Sequence, residues 1–184
     1  MLAPPFPGAA IADARAAAKA HLRIAGDGED GLIDALAASA LALGEAFTGT
    51  VWIAREWQDV LPVSRAWQRL KTTPVGAITA VEGLSADGAA FALASDAYAI
   101  DLDAAGDGWV RVIAPGVKGR VRVTLSAGAA AGWGDLPPPL ALGVVLLIAH
   151  LFEHREKDAA PPAAVSALWR PWRTLRLRAS EHAA

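Results

Sequence analysis

Apolar positions along the chain recur first at the helical period, then at the two-residue period of strands, then at the helical period again. Ile11, Ala14, Ala18 and Leu22 share one stripe and predict a short alanine-rich helix over residues 11–22. Ile33, Leu36, Ala40, Leu43 and Phe47 repeat that spacing over residues 30–47, Leu32 and Leu41 widen the stripe, and Thr48-Gly49-Thr50 closes the helix. The intervening Gly26-Asp27-Gly28-Glu29-Asp30 reads as a turn, its acids placed where a helix N-terminus favours negative charge. From Val51 the chain becomes β-branched and aromatic. Strands are predicted over residues 51–57 and near 66–70, 77–84, 91–93, 98–102, 109–113 and 121–126. Asp87-Gly88, Gly106-Asp107-Gly108 and Pro115-Gly116 supply turns between them. Pro137-Pro138-Pro139 then pre-set the backbone for a helix over residues 139–157. Leu140, Val144, Val145, Leu147, Ile148, Leu151 and Phe152 make it apolar around most of its circumference, so it should be buried on several sides. A short helix over 163–169 ends before Pro171.

The expected fold class is α+β: mainly an α-helical bundle, with two N-terminal helices, a long C-terminal core helix and a short helix. A small antiparallel β-sheet would be inserted at residues 51–127, and a C-terminal arm would follow. On this reading residues 1–167 form a single domain and residues 168–184 a basic docking arm.

Composition changes this picture in three places. Of the 184 residues 54% are hydrophobic, but much of that is alanine, a helix former of little volume, so few large side chains decide the packing. Net charge is −2, too near neutral for whole-surface attraction to nucleic acid, yet Arg170, Arg173, Arg176 and Arg178 crowd the tail against one acid, Glu181. There are no cysteines, which excludes disulfides, thiolate metal sites and cysteine nucleophiles. The opening MLAPPFPGAA lacks the charge pattern of a signal peptide. The apolar run Leu140–Ala149 falls short of the roughly 20 residues that span a bilayer, so a soluble protein is expected.

Candidate chemistry is sparse. His150, Glu153 and His154 stand in the His-x-x-Glu-His order of inverted zinc peptidases, with both histidines on one helix face. The competing reading is the polar C-terminal end of a buried helix, where cationic side chains complement the dipole. Serines lack a Gly-x-Ser-x-Gly context, and the glycines of residues 128–134 lack phosphate-loop spacing. No catalytic residue, metal site or cofactor is therefore expected. Trp52, Trp57, Trp67 and Trp109 fall in predicted strands and are expected in the core. Trp169 and Trp172 flank Pro171 among arginines, a composition enriched at interface hot spots.

In order along the chain, several stretches resemble the head–tail connector (adaptor) proteins of long-tailed phages and gene transfer agents. These are Ala20–Ile24 with the acidic turn, Glu45-Ala-Phe-Thr-Gly49, and Leu70–Val81 with Thr73-Pro74-Val75. Asp87-Gly88, Tyr98–Asp101 and Val123–Gly128 follow, and Leu136-Pro137 with Leu146–Glu156 is the closest stretch. The Trp169-Arg-Pro-Trp172 ending departs from the pattern, since relatives more often carry a leucine-rich segment there.

The resemblance implies a non-enzymatic ring of twelve subunits between portal and tail, with DNA passing through its lumen without sequence-specific contact. Its partners would be the portal protein, neighbouring adaptor subunits and the next tail or stopper protein, with no membrane. Its place would be the neck of a virion or phage-like particle assembled in the bacterial cytoplasm. Portal docking would fall to Trp169, Arg170, Trp172, Arg173, Leu175, Arg176, Leu177 and Arg178. The alternatives are another tail-completion or protein-interaction module, and a zinc hydrolase using His150, Glu153 and His154.

Overall fold

In the computed structural model, which describes residues 3–114, 119–154 and 160–174, four α-helices and seven strands follow the order set by the sequence periods. Helices α1 (Gly8–Leu22) and α2 (Asp30–Thr48) come first. They are followed by β1 (Arg55–Pro62), β2 (Gln68–Arg69), β3 (Val75–Leu84), β4 (Ala90–Ala92), β5 (Tyr98–Leu102), β6 (Gly108–Val112) and β7 (Arg120–Ala127). Helices α3 (Pro138–Glu153) and α4 (Ala163–Trp169) close the order, with a 3-10 turn on either side of this pair.

The expectation of a mainly α-helical bundle with one small inserted sheet is overturned. The strands form two antiparallel sheets, β1-β7-β3-β4 and β2-β6-β5. Among the described residues strand makes up 26% beside 39% helix, so the β part is a structural body in its own right. The physical reason lies in β7, whose Val121, Val123, Leu125 and Ala127 all point inward and are buried. It pairs with β1 from Arg55↔Ala127 to Pro62↔Arg120 and, on its other side, with β3. A strand paired on both edges with one fully buried face needs a core of its own.

The described residues divide into two compact units, one within Met1–Asp13 and Val51–Leu136, the other within Ala14–Thr50 and Pro137–Ala184. In the β unit Leu61, Leu70, Val75, Val81, Val110 and Val112 join the inward residues of β7. Trp57, Ile78 and Tyr98 pack partly buried against them. A buried carboxylate braces this core. Asp59 Oδ2 accepts the backbone N–H groups of Lys71 at 2.6 Å and Thr72 at 3.1 Å, and Oδ1 accepts the Thr72 hydroxyl at 2.9 Å. Asp59→Ala would leave these donors without their acceptor, and urea unfolding should show a loss of about 1–3 kcal/mol. An unchanged midpoint would show that water replaces the carboxylate without cost. Arg55 holds the proline-rich lead-in. Its guanidinium lies 4.2 Å from the Phe6 ring centroid and 4.7 Å from that of Trp57, and donates to the carbonyls of Pro4 and Ile53.

In the helical unit, α1 and α2 are tied by charge as well as packing. Arg15 reaches Asp34 at 2.6 Å, and Lys19 reaches Asp27 at 3.0 Å and Asp30 at 2.6 Å. The acids of the turn are thus partners of the preceding helix, beyond any effect on the α2 dipole. The side-chain hydrogen bond to Asp30, followed by that to Asp27, holds the Lys19 ammonium above its ordinary pKa. By length and composition α2 could cross a bilayer. Here its inward stripe is Ile33, Ala37, Ala40, Leu41, Gly44 and Thr48. Leu43, placed on the inner stripe by period, is 50% exposed. Small residues face inward instead because they let neighbouring helices approach closely. Gly49 ends α2 in the left-handed region at φ 72°, donating its N–H to the Glu45 carbonyl. Helix α3 buries Leu140, Gly143, Val144, Val145, Leu147, Ile148 and Ala149, in keeping with its nearly all-round apolar character. The predicted continuation to residue 157 extends beyond the described residues.

Candidate functional site

The predicted docking residues begin inside the helical unit. Pro161 and Pro162 precede α4, whose Val165 and Trp169 are its buried positions. Trp169 is only 3% exposed and donates its indole N–H to the Leu140 carbonyl at 3.2 Å. It lies over Gly143, where a Cβ atom would overlap the indole nitrogen, so a close approach makes room for this ring. Its other side meets Phe47 at the end of α2, with ring centroids 6.1 Å apart. Trp169 is thus a core side chain of the unit.

Beyond Trp169 the chain makes a 3-10 turn, Arg170–Trp172, with Pro171 near its start. The turn directs Arg173 back over Phe47, its guanidinium 5.3 Å from the ring centroid. Thr174 N–H then donates to the Thr48 carbonyl at 2.8 Å. The segment is therefore fastened up to residue 174, to one of the carbonyls that the end of α2 leaves without an intrahelical donor. Arg170, Trp172 and Arg173 face solvent, Trp172 with 42% of its surface exposed. Leu175, Arg176, Leu177 and Arg178 lie outside the described residues. The structure brings together an exposed Arg-Pro-Trp-Arg knuckle on a buried tryptophan root, suited to holding an acidic and partly apolar protein surface.

The zinc-like triplet takes a different form. The rings of His150 and His154 lie 4.4 Å apart at 30°, and His154 Nδ1 sits 2.9 Å from the His150 carbonyl of the preceding turn. Glu153 is exposed on the same helix end. Among the described residues no group of three or more His, Cys, Asp or Glu is placed to hold a metal ion. Exchanging both histidines, His150→Gln with His154→Gln, should leave subunit folding and particle assembly unchanged. Stoichiometric zinc in the purified wild-type chain, lost in this double variant, would reverse the structural reading.

Two of the four strand tryptophans depart from the expected core role. Trp52 is buried at 1% exposure and Trp57 packs partly buried, but Trp67 is 41% exposed and Trp109 only half-buried. The signal was present in Trp109-Val-Arg-Val-Ile113, where valines alternate with Trp, Arg and Ile. Val110 and Val112 fill the core, so Trp109, Arg111 and Ile113 must occupy the opposite face.

No protein-family model matches the chain, and no curated protein matches it significantly. Solved structures do match over nearly its whole length. A chain in the neck of an empty gene transfer agent particle, computed with C6 symmetry, is 27% identical with a TM-score of 0.74, covering 96% of this chain and 97% of that one. A chain in the virion of a native gene transfer agent particle is 31% identical with a TM-score of 0.71, over 95% and 94%. A third, in the neck of a native particle computed with C12 symmetry, is 27% identical with a TM-score of 0.65, over 96% and 97%.

Proposed function

Because this chain belongs to the head–tail connector (adaptor) family of phages and gene transfer agents, we propose that it is a structural subunit of a particle neck. It forms a ring between the portal and the tail. The observation that carries this reading is the near end-to-end similarity, in both directions, to neck chains. Both units are included in the match, so the likeness reaches well past a shared small domain.

Twelve subunits are the stoichiometry we infer, since twelve copies satisfy both the C6 and the C12 symmetry of those necks. A ring requires a heterologous contact that closes by rotation, and a chain with a helical and a β unit offers different surfaces to its two neighbours. The role is mechanical and needs no catalysis. DNA passes through the lumen without sequence readout, and assembly takes place in the bacterial cytoplasm. The exposed knuckle Arg170–Arg173 and the following Leu175–Arg178 are the surface we assign to the portal. The next tail or stopper protein meets another face of the ring.

Deleting the gene in the particle-producing cell tests the reading. The expected product is DNA-filled heads without attached tails, restored by the chain supplied in trans. Tailed particles of normal yield in its absence would refute a connector role.

A further inference from the structure

The outer face of the β2-β6-β5 sheet carries an unusual set of side chains. Register sets Gln68 and Ile100 on either side of Val110, and Arg69 and Asp101 on either side of Trp109. Val110 points into the core, so Arg69 and Trp109 point out, and the two-residue period carries Trp67, Arg111 and Ile113 to the same side. Arg111 stacks on Trp67, 4.6 Å from the ring centroid. Its Nε is buried and has no hydrogen-bond partner among the described residues, although the stack and the pocket keep the side chain at the surface. Arg65, Arg111, Val112 and Ile113 line a shallow pocket of about 260 Å³. Arg69 is satisfied by Asp107 at 3.0 Å, whereas Arg65 and Arg111 have no carboxylate partner among the described residues. Two tryptophans, an exposed isoleucine and two guanidiniums without a carboxylate partner among the described residues are, on one face, the composition of a protein-binding hot spot.

A complementary feature exists on the same chain. The β3–β4 hairpin turns through Ser85–Ala89, with Gly88 N–H donating to the Ser85 carbonyl at 3.0 Å. Every residue from Ala86 to Phe91 is exposed. Asp87 stands at the tip, its carboxylate accepting the Ser85 hydroxyl and the Ala89 N–H. The Ser85 hydrogen bond, and after it the backbone N–H groups, hold its pKa below the ordinary carboxylate value. The tip is thus ionised and already shaped. Phe91 lies over Gly83 on the opposite strand and keeps 44% of its surface exposed.

We propose that in the ring the β3–β4 hairpin of one copy docks on the β2-β6-β5 outer face of the next, with Asp87 entering the Arg65–Arg111 pocket and Phe91 meeting Trp67 and Ile113. This rests on the neck reading, which supplies the second copy: a subunit repeated around an axis must offer a donor surface to one neighbour and an acceptor to the other. Charge complementarity selects the hairpin. It is an exposed turn bearing an anion beside an aromatic ring, and the acceptor is a cationic pocket beside an aromatic ring. A DNA phosphate would satisfy the guanidiniums but would leave the exposed Trp67 and Ile113 without an apolar partner.

The absence of native cysteine makes the test clean. A chain carrying Ala66→Cys and Ala86→Cys, both at exposed positions, is incorporated into particles and oxidised. The expected result is a ladder of cross-linked copies on a non-reducing gel, collapsing on reduction. Subunits present in particles but remaining monomeric would overturn the hairpin contact while leaving the neck reading intact. Absence of the chain from wild-type particles would overturn both. As a second readout, Arg111→Glu and Asp87→Arg should each lower incorporation roughly tenfold or more, and the two together should restore it. Arg65→Glu, at an exposed position, repeats the test should Arg111→Glu fail to fold. Failure of the combined exchange to recover either single variant would count against the pairing. Normal incorporation of Arg111→Glu with poor DNA retention would reassign the face to phosphate.

Discussion

Trp169→Ala is expected to cost the helical unit about 3–5 kcal/mol, read as a fall in the urea or thermal midpoint of the purified subunit. Three losses add up at this position. The indole ring is almost wholly buried, its N–H donates to the Leu140 carbonyl, and its edge meets Phe47. Truncation would open a cavity beside Gly143 that neither α3 nor α4 has a side chain to fill. The same contact can be attacked from the other side. Gly143→Ala places a methyl group where the indole nitrogen sits, and overpacking of that kind costs about 1–3 kcal/mol. Trp172→Ala is the control, since that ring is exposed and its removal should stay within about 0.5 kcal/mol. Equal effects at Trp169 and Trp172 would show that α4 does not hold the unit together.

The contrast between these two tryptophans shows what the sequence conceals. Both stand in the same Arg-rich context around Pro171, and nothing local separates them. What separates them is Gly143, a residue of α3 whose missing side chain admits one ring. Period was a better guide where the partner was adjacent. The alternation in Val121–Ala127 identifies the inward face of β7 directly, and the predicted segments from 77 to 126 each find a strand. It was a poor guide to how those strands pair. β1 joins β7 across more than fifty intervening residues, a choice made by burial of the inward face of the sheet and not by any local turn. That is why one hairpin sheet was expected where two sheets form. Helix α2 shows a related effect, with Ala37 and Gly44 inside and Leu43 outside. Hydrophobicity alone ranks leucine first, whereas close helix packing selects small residues. In the candidate site, Arg170, Trp172 and Arg173 are exposed as a docking role requires, but Trp169 serves the fold. The outer face of β2-β6-β5 was legible in the alternation of residues 109–113. It was obscured by the general rule that tryptophans in strands build core.

Removing residues 175–184 is expected to leave the subunit folded and to reduce its incorporation into particles to background. The cut belongs after Thr174, because a deletion beginning at residue 168 would remove Trp169 and unfold the unit for reasons unrelated to docking. Up to Thr174 the segment is held, by the N–H donated to the Thr48 carbonyl and by Arg173 over Phe47. Thr174 is therefore a fixed point of the helical unit. Beyond it, Leu175-Arg176-Leu177-Arg178 alternates strictly, and an extended conformation would place leucines on one side and arginines on the other. Such a strip suits an acidic groove or a free sheet edge on the portal, with main-chain hydrogen bonds giving affinity and the arginines register. The measurement is the thermal midpoint of the truncated subunit beside its copy number in purified particles. An unchanged midpoint with no incorporation, and heads lacking tails, is the expected pair of results. Replacing only Arg176 and Arg178 with glutamate should weaken portal binding and make the remainder less sensitive to salt. If the effect appears instead as loss of packaged DNA from fully assembled particles, the strip contacts phosphate. If truncated subunits still join heads to tails at wild-type copy number, residues 175–184 do not carry the proposed docking.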